Sequence, residues 1–266
     1  NSPLPIRGLT VRTATFPFAL TNRHTPAADV LMWAFFTAAA ALATLILVLI
    51  AAFLLREAAP LVSEGGFTRF FTDNGWWPKD QSFEMTPMLL SSLLLTLGAT
   101  LLAAPFAIGM AVFMVFVGPP WLTKLIRRLV EASAAVPTVV YGLWGVTTIV
   151  PLLNLIKPPG ASLLAGVIVL ALMILPTITI LSREALQMVP SSFVQASSAL
   201  GISQTKTLLH VVLPAAWPGI CASLVLGAAR AIGETMAVLM VCGNIVQVPS
   251  SVLDPVRALT ANIALE

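Results

Sequence analysis

Apolar residues run almost without interruption through five stretches of the chain, residues 30–55, 86–117, 129–150, 161–181 and 215–243. Each reaches about 20 positions or more, the length a helix needs to cross a bilayer. The pattern predicts an all-α, polytopic membrane helical bundle with five spans visible. The second stretch is long for one crossing but holds no polar turn, so it reads as a single tilted or bent helix carrying Gly98, Pro105 and Gly109. Pro137 breaks the third stretch and Pro176 lies in the fourth, positions that suit packing kinks or hinges.

The polar segments between these stretches set the orientation. Arg7, Arg12 and Arg23 precede the first span, Lys124, Arg127 and Arg128 follow the second, and Arg183 and Lys206 follow the fourth. The intervening segments are acidic, as in 56–84, or carry only Lys157. Cationic loops stay inside, so the amino end is expected in the cytoplasm. Residues 1–29 hold arginines but no short apolar core with a cleavage site and read as a cytoplasmic tail, leaving 30–266 as the membrane domain. Trp76 and Trp77 suit the headgroup belt.

Composition excludes a soluble globular domain: 58% of residues are hydrophobic, 9% are charged, and the mean hydropathy is +0.96. The net charge of +3 belongs to the loops and speaks to topology, not to nucleic acid. Cys221 and Cys242 would lie about 30 Å apart on one helix, too far to bridge. His24 and His210 have no neighbours at ligand spacing, so no metal site is expected. Neither a phosphate-cradling G-x-x-x-x-G-K-[ST] loop nor a nucleophile with its base occurs, so the chain is not an enzyme and takes its energy from a partner.

Against this background Arg230 and Glu234 stand out. On one continuous helix Arg230 would sit about 20 Å from either end of 215–243, too deep to reach water. Ionisable groups there mark an ion path by default. A guanidinium fork fits a tetrahedral oxyanion, and Glu234, one turn along, is placed to hold it when the path is empty. The alternative is a structural ion pair that locks this span to a neighbour. Thr235 and Asn244 offer further donors, either on the path or across helices. Tyr141 and Trp144 suit a gate or interfacial anchors, and Glu131 suits pairing with Arg127 or Arg128.

Residues 182–214 form the most organised loop. Pro190 is placed to open a helix whose first turn Ser191 or Ser192 would cap, and Gly201 to end it. Ser203 would cap a second helix reaching Val212, with Pro214 starting the next span. Phe193, Val194, Ala196, Ala199 and Leu200 give the first helix an apolar side opposite Ser197 and Ser198, suited to a partner's groove. A helix lying on headgroups would carry Lys or Arg, and residues 190–201 have none.

Gln195-Ala196-Ser197, then Gly201, then Val211-Val212-Leu213-Pro214 resembles the EAA loop of ABC importer permeases, with Gln195 where that family usually has Glu and Ser197 in place of the second Ala. The resemblance implies a coupling helix, with Ser191, Phe193, Gln195, Ala196 and Gly201 meeting an ATPase subunit. Val136-Pro137-Thr138-Val139-Val140-Tyr141-Gly142-Leu143-Trp144-Gly145, the run 229–238 with Gly243-Asn244, and the closing 259–266 are similar to C-type subunits of phosphate (Pst) permeases. That resemblance covers roughly residues 76–266. It implies a type I ABC importer permease fold with a sixth span beyond Glu266, in the inner or plasma membrane of a prokaryote. It also implies a PstA-like permease partner, a PstB-like ATPase dimer binding ATP and Mg, a PstS-like phosphate-binding protein outside, and no cofactor in this chain. Permeases for sulfate, molybdate or phosphonate share the loop, and a secondary anion transporter or a phosphate-sensing subunit are the other classes to separate.

Overall fold

The computed structural model describes residues 26–65, 68–73, 75–80 and 82–266. Most of the expected tail, residues 1–25, lies outside the described residues, and its last positions already belong to a helix. The chain divides into two units, 1–66 and 67–266, each taken by itself.

The first unit is one helix, α1 (Pro26–Gly65), of 40 residues. It extends past the first apolar stretch at both ends, and between residues 30 and 55 it is apolar on every side, as suits a helix surrounded by acyl chains. The hydroxyls of Thr37 and Thr44 donate to the carbonyls of Trp33 and Ala40, which satisfies them inside their own helix.

The second unit opens on a single helical turn, Arg69–Thr72, followed by a two-residue hairpin, β1 (Trp76–Trp77) against β2 (Ser82–Phe83). Then come α2 (Thr86–Val117), α3 (Pro120–Ala134), α4 (Thr138–Asn154), α5 (Leu163–Gln187), α6 (Ser191–Ala199), α7 (Gln204–Ile232), α8 (Met236–Val241) and α9 (Leu259–Leu265). Among the described residues four helices are long and apolar enough to cross a membrane, or five when α3 and α4 count as one broken span. The second stretch is one helix, as its unbroken apolar run predicts.

One predicted span is corrected, and the break expected at Pro137 in another proves to be a full bend. The third is two helices meeting at 94°, because Pro137 has no N–H to continue the ladder and its ring pushes Val136 out of helical conformation. Tyr141 stitches the bend by donating from its hydroxyl to the Ser133 carbonyl at 2.8 Å. The fifth ends at Ile232; the chain turns through Gly233, Glu234 and Thr235 and starts again as α8. Pro214 does not open a span either. The helix begins at Gln204 and passes through a widened turn, Leu208–Val212, just ahead of this proline, an arrangement that accommodates its missing donor.

The core is the contact of α2, α5 and α7. Along α2, Leu95, Ala99, Ala103, Ala107 and Ala111 recur every fourth position, and each is at most 2% exposed. Small residues let the backbones come close, which is what holds helices together where lipid is as apolar as the side chains. A Cβ on Gly98 would lie 2.8 Å from Val167, and one on Gly227 would lie 2.6 Å from Ile178. Between α5 and α7 the buried hydroxyls of Ser182 and Ser223 bond at 2.8 Å.

The bundle has two distinct ends. At one, α6 packs beside the last turns of α2 and the start of α7, through Val194, Val115 and Val212. At the other, the segment after α8 folds back over the start of α5: Leu163 and Leu164 donate to the carbonyls of Asp254 and Val252, and the Ser162 hydroxyl accepts from Ala165. The loop thereby satisfies amides that a helix start leaves open. Asp254 anchors this fold-back. Its carboxylate takes Lys157 at 2.6 Å, the Ser250 amide and hydroxyl, and the Ser251 amide. Lys157 first, then the serine donors, hold its pKa far below the usual carboxylate range. A depressed folded pKa contributes stability that is complete above the unfolded value near 4 and lost as pH falls through the folded one. Asp254→Asn should therefore unfold at a lower temperature than wild type at pH 7, with the gap narrowing below about pH 4; a gap that stays constant to pH 3 rejects the carboxylate as its source.

Candidate functional site

Arg230 lies in the last turn of α7, where a cation favours the negative end of the helix. Its Nη1 donates to the Thr177 hydroxyl at 3.2 Å. Thr177 belongs to α5 and follows Pro176, so the residue that interrupts the α5 ladder also sets the position of Arg230's partner. No ion pair joins Arg230 to any carboxylate among the described residues. The expected pairing with Glu234 is thus corrected, and its physical cause is the break after Ile232, which removes Glu234 from the helix that carries Arg230.

Glu234 has a different job. It is 8% exposed, and its Oε1 accepts the Ala237 amide at 3.2 Å, so the carboxylate caps the first turn of α8 where an anion is favoured. Its backbone carbonyl accepts from the Thr260 hydroxyl. A void of about 10 Å³ beside it, lined in part by Ser92, Thr96 and Thr260, is at the lower limit for one water. Thr235 precedes α8 without capping it through its side chain. Asn244 adopts φ +57°, its amide nitrogen donates to the Leu239 carbonyl at 2.7 Å, and its own carbonyl accepts from Arg257. It closes the end of α8 and holds Arg257, which also reaches Asn262. The four predicted path residues therefore fall into three places: Arg230 on Thr177, Glu234 with Thr235 at the start of α8, and Asn244 beyond its end. Thr177 was missed by sequence reading; the available signal was a hydroxyl directly after an in-span proline.

At the opposite end, α6 and its turn form as predicted. Gly201 takes φ +70° and donates to Ser198, while Ile202 donates to Ser197, the pair of bonds that ends a helix on a left-handed glycine. The capping differs: no hydroxyl of Ser191, Ser192 or Ser203 caps a first turn. The faces differ too. Ser197, 5% exposed, turns inward with Val194, its hydroxyl bonded to the Phe193 carbonyl. Ser191, Phe193, Gln195, Ala196, Leu200 and Gly201 all face outward, Leu200 at 79% exposure. An outward apolar edge on a short helix at a bundle's end is a docking surface in form.

Residues 103–254 match the binding-protein-dependent transport system inner membrane component family. A PstC phosphate transport system permease protein of Mesorhizobium japonicum is 30% identical over 267 residues, covering 92% of this chain and 81% of that protein. The chain belongs to this family. The probable ABC transporter permease protein YqgH of Bacillus subtilis is 40% identical over 200 residues, 74% of this chain, and the chain spans only 65% of YqgH's length. A chain of the inward-facing MetNI methionine ABC transporter gives a TM-score of 0.48 at 19% identity, over 54% of this chain and 67% of that one. As an inner membrane component of a binding-protein-dependent transport system, the chain is a multi-pass transport subunit and not an enzyme. The matched region runs from mid-α2 through α8 and so contains both Arg230 and α6.

Proposed function

We propose that the chain is one of two permease subunits of an ATP-driven importer of inorganic phosphate, with Arg230 on the substrate path. The observation that carries this reading is a guanidinium in an apolar bundle that no carboxylate among the described residues neutralises. Phosphate carries between one and two negative charges near neutral pH and needs such a partner away from water. Its fork suits phosphate geometry, and the weak neutral contact to Thr177 is readily exchanged for a charged ligand. The relatives named PstC are phosphate transport permeases, which supports the same substrate.

In this reading a PstA-like permease completes the path, a PstS-like protein delivers phosphate from outside, and a PstB-like ATPase dimer binds ATP and Mg on the cytoplasmic side. The amino end of the chain lies in the cytoplasm. Ser191, Phe193, Gln195, Ala196 and Gly201 meet the ATPase. Glu234, Thr235 and Asn244 shape the path from the two ends of α8 instead of pairing with Arg230. The test is ATP-dependent uptake of labelled phosphate against labelled sulfate by the complete transporter in vesicles. Phosphate should be taken up, with sulfate at least roughly tenfold slower; preferential sulfate uptake, or uptake without ATP, rejects the proposal.

A further inference from the structure

α3 is divided around its circumference into three faces. One packs on the bundle through Val130, which is 6% exposed. The second is apolar yet exposed: Trp121, Leu125 and Leu129 recur every fourth position at 68%, 47% and 60% exposure. The third carries Lys124, Arg127, Arg128 and Glu131, all exposed. Arg127 and Glu131 neutralise each other at 2.6 Å. Lys124 and Arg128 have no ion pair or hydrogen-bond partner through their side chains among the described residues, and they border the apolar face, three and seven residues beyond Trp121.

An apolar stripe beside two free cations, on a helix bent 94° from the adjoining α4, has the form of a segment lying along a membrane surface. We infer that α3 is an in-plane helix that recognises anionic phospholipid: Trp121, Leu125 and Leu129 enter the acyl boundary while Lys124 and Arg128 bind the phosphate of the headgroup. The charge argues for lipid over a protein partner. Both free groups are positive, they sit at the stripe's edge where headgroups would stand, and tryptophan begins the stripe as it does in interfacial belts. α6, with no cation between residues 190 and 201, lacks this signature.

The test uses the assembled transporter in vesicles, with Leu125→Cys carrying a bimane label in a Cys221→Ser background. Phospholipids with brominated acyl chains should quench the label. Brominated phosphatidylglycerol should do so at about a tenth of the concentration needed for brominated phosphatidylcholine at low salt. In Lys124→Gln/Arg128→Gln the two lipids should become equivalent while quenching persists. Absence of quenching by either lipid means that protein covers this face and overturns the inference. So does a wild-type label indifferent to headgroup, or a preference that survives the double substitution.

Discussion

Arg230→Ala should lower ATP-driven phosphate uptake by the assembled transporter at least roughly a hundredfold. Two charge-assisted hydrogen bonds from one guanidinium are each worth about 1.5–3 kcal/mol, and about 1.4 kcal/mol is a factor of ten. The fold should survive, because the residue is only partly buried and its one hydrogen bond among the described residues is the neutral contact to Thr177. Arg230→Lys keeps the charge but loses the fork, so it should recover part of the activity and remain roughly tenfold down. Glu234 provides the contrast. As a helix cap its loss in Glu234→Ala should cost about 1 kcal/mol of stability, while Glu234→Gln keeps an oxygen for the Ala237 amide and most of that stability. Uptake by Arg230→Ala within twofold of wild type, in vesicles holding equal amounts of complex, would remove Arg230 from the path.

Gly166→Val should be the most damaging substitution in the core. A Cβ at this position would stand 2.5 Å from Cys242 Sγ and 2.6 Å from Leu95 Cδ2. Both neighbours are buried, and beside Leu95 there is only a void of about 10 Å³, so little space exists for either side chain to move into. Overpacking of this kind costs about 1–3 kcal/mol, and here it pushes apart α2, α5 and the segment that follows α8 together. Thermal unfolding in detergent should shift down clearly, and less complex should assemble. Gly109→Ala is the control: nothing lies within 4 Å of its Cβ, so its unfolding should stay within about 0.5 kcal/mol of wild type. Equal stability of Gly166→Val and wild type would mean that α2 and α5 do not approach as closely as described.

Much of the architecture was legible because it follows from local chemistry. Residues 86–117 contain no polar turn and form one helix, Gly201 takes the left-handed conformation its position asks for, and Glu131 pairs with Arg127 within one turn. What escaped was backbone interruption inside apolar sequence. Hydropathy counts side chains and is blind to a chain break whose polar groups find partners within the protein. The turn at Gly233 is such a case. Glu234 and Thr260 satisfy it, and Thr260 lies 26 residues further on. A closer reading of Gly-Glu-Thr ahead of a fresh apolar run would have located a helix stop followed by a start. The partner of Arg230 was beyond sequence reasoning, since Thr177 is 53 residues away and only packing brings it near. The faces of α6 were misread for a similar reason: a serine bonded to its own helix is no longer polar toward its surroundings, so Ser197 can face inward.

One helix joins the two regions that the proposed function invokes. α7 starts three residues after the Gly201 turn and carries Arg230 in its final turn, so roughly 40 Å of continuous rod separates them. Beyond Ile232 the rod is severed, and the piece that follows is moored to the loop at that end of the bundle through Asn244 and Arg257. In the proposed transporter, a shove delivered at α6 would travel along this rod and move the guanidinium at its tip, while the far rim stays anchored.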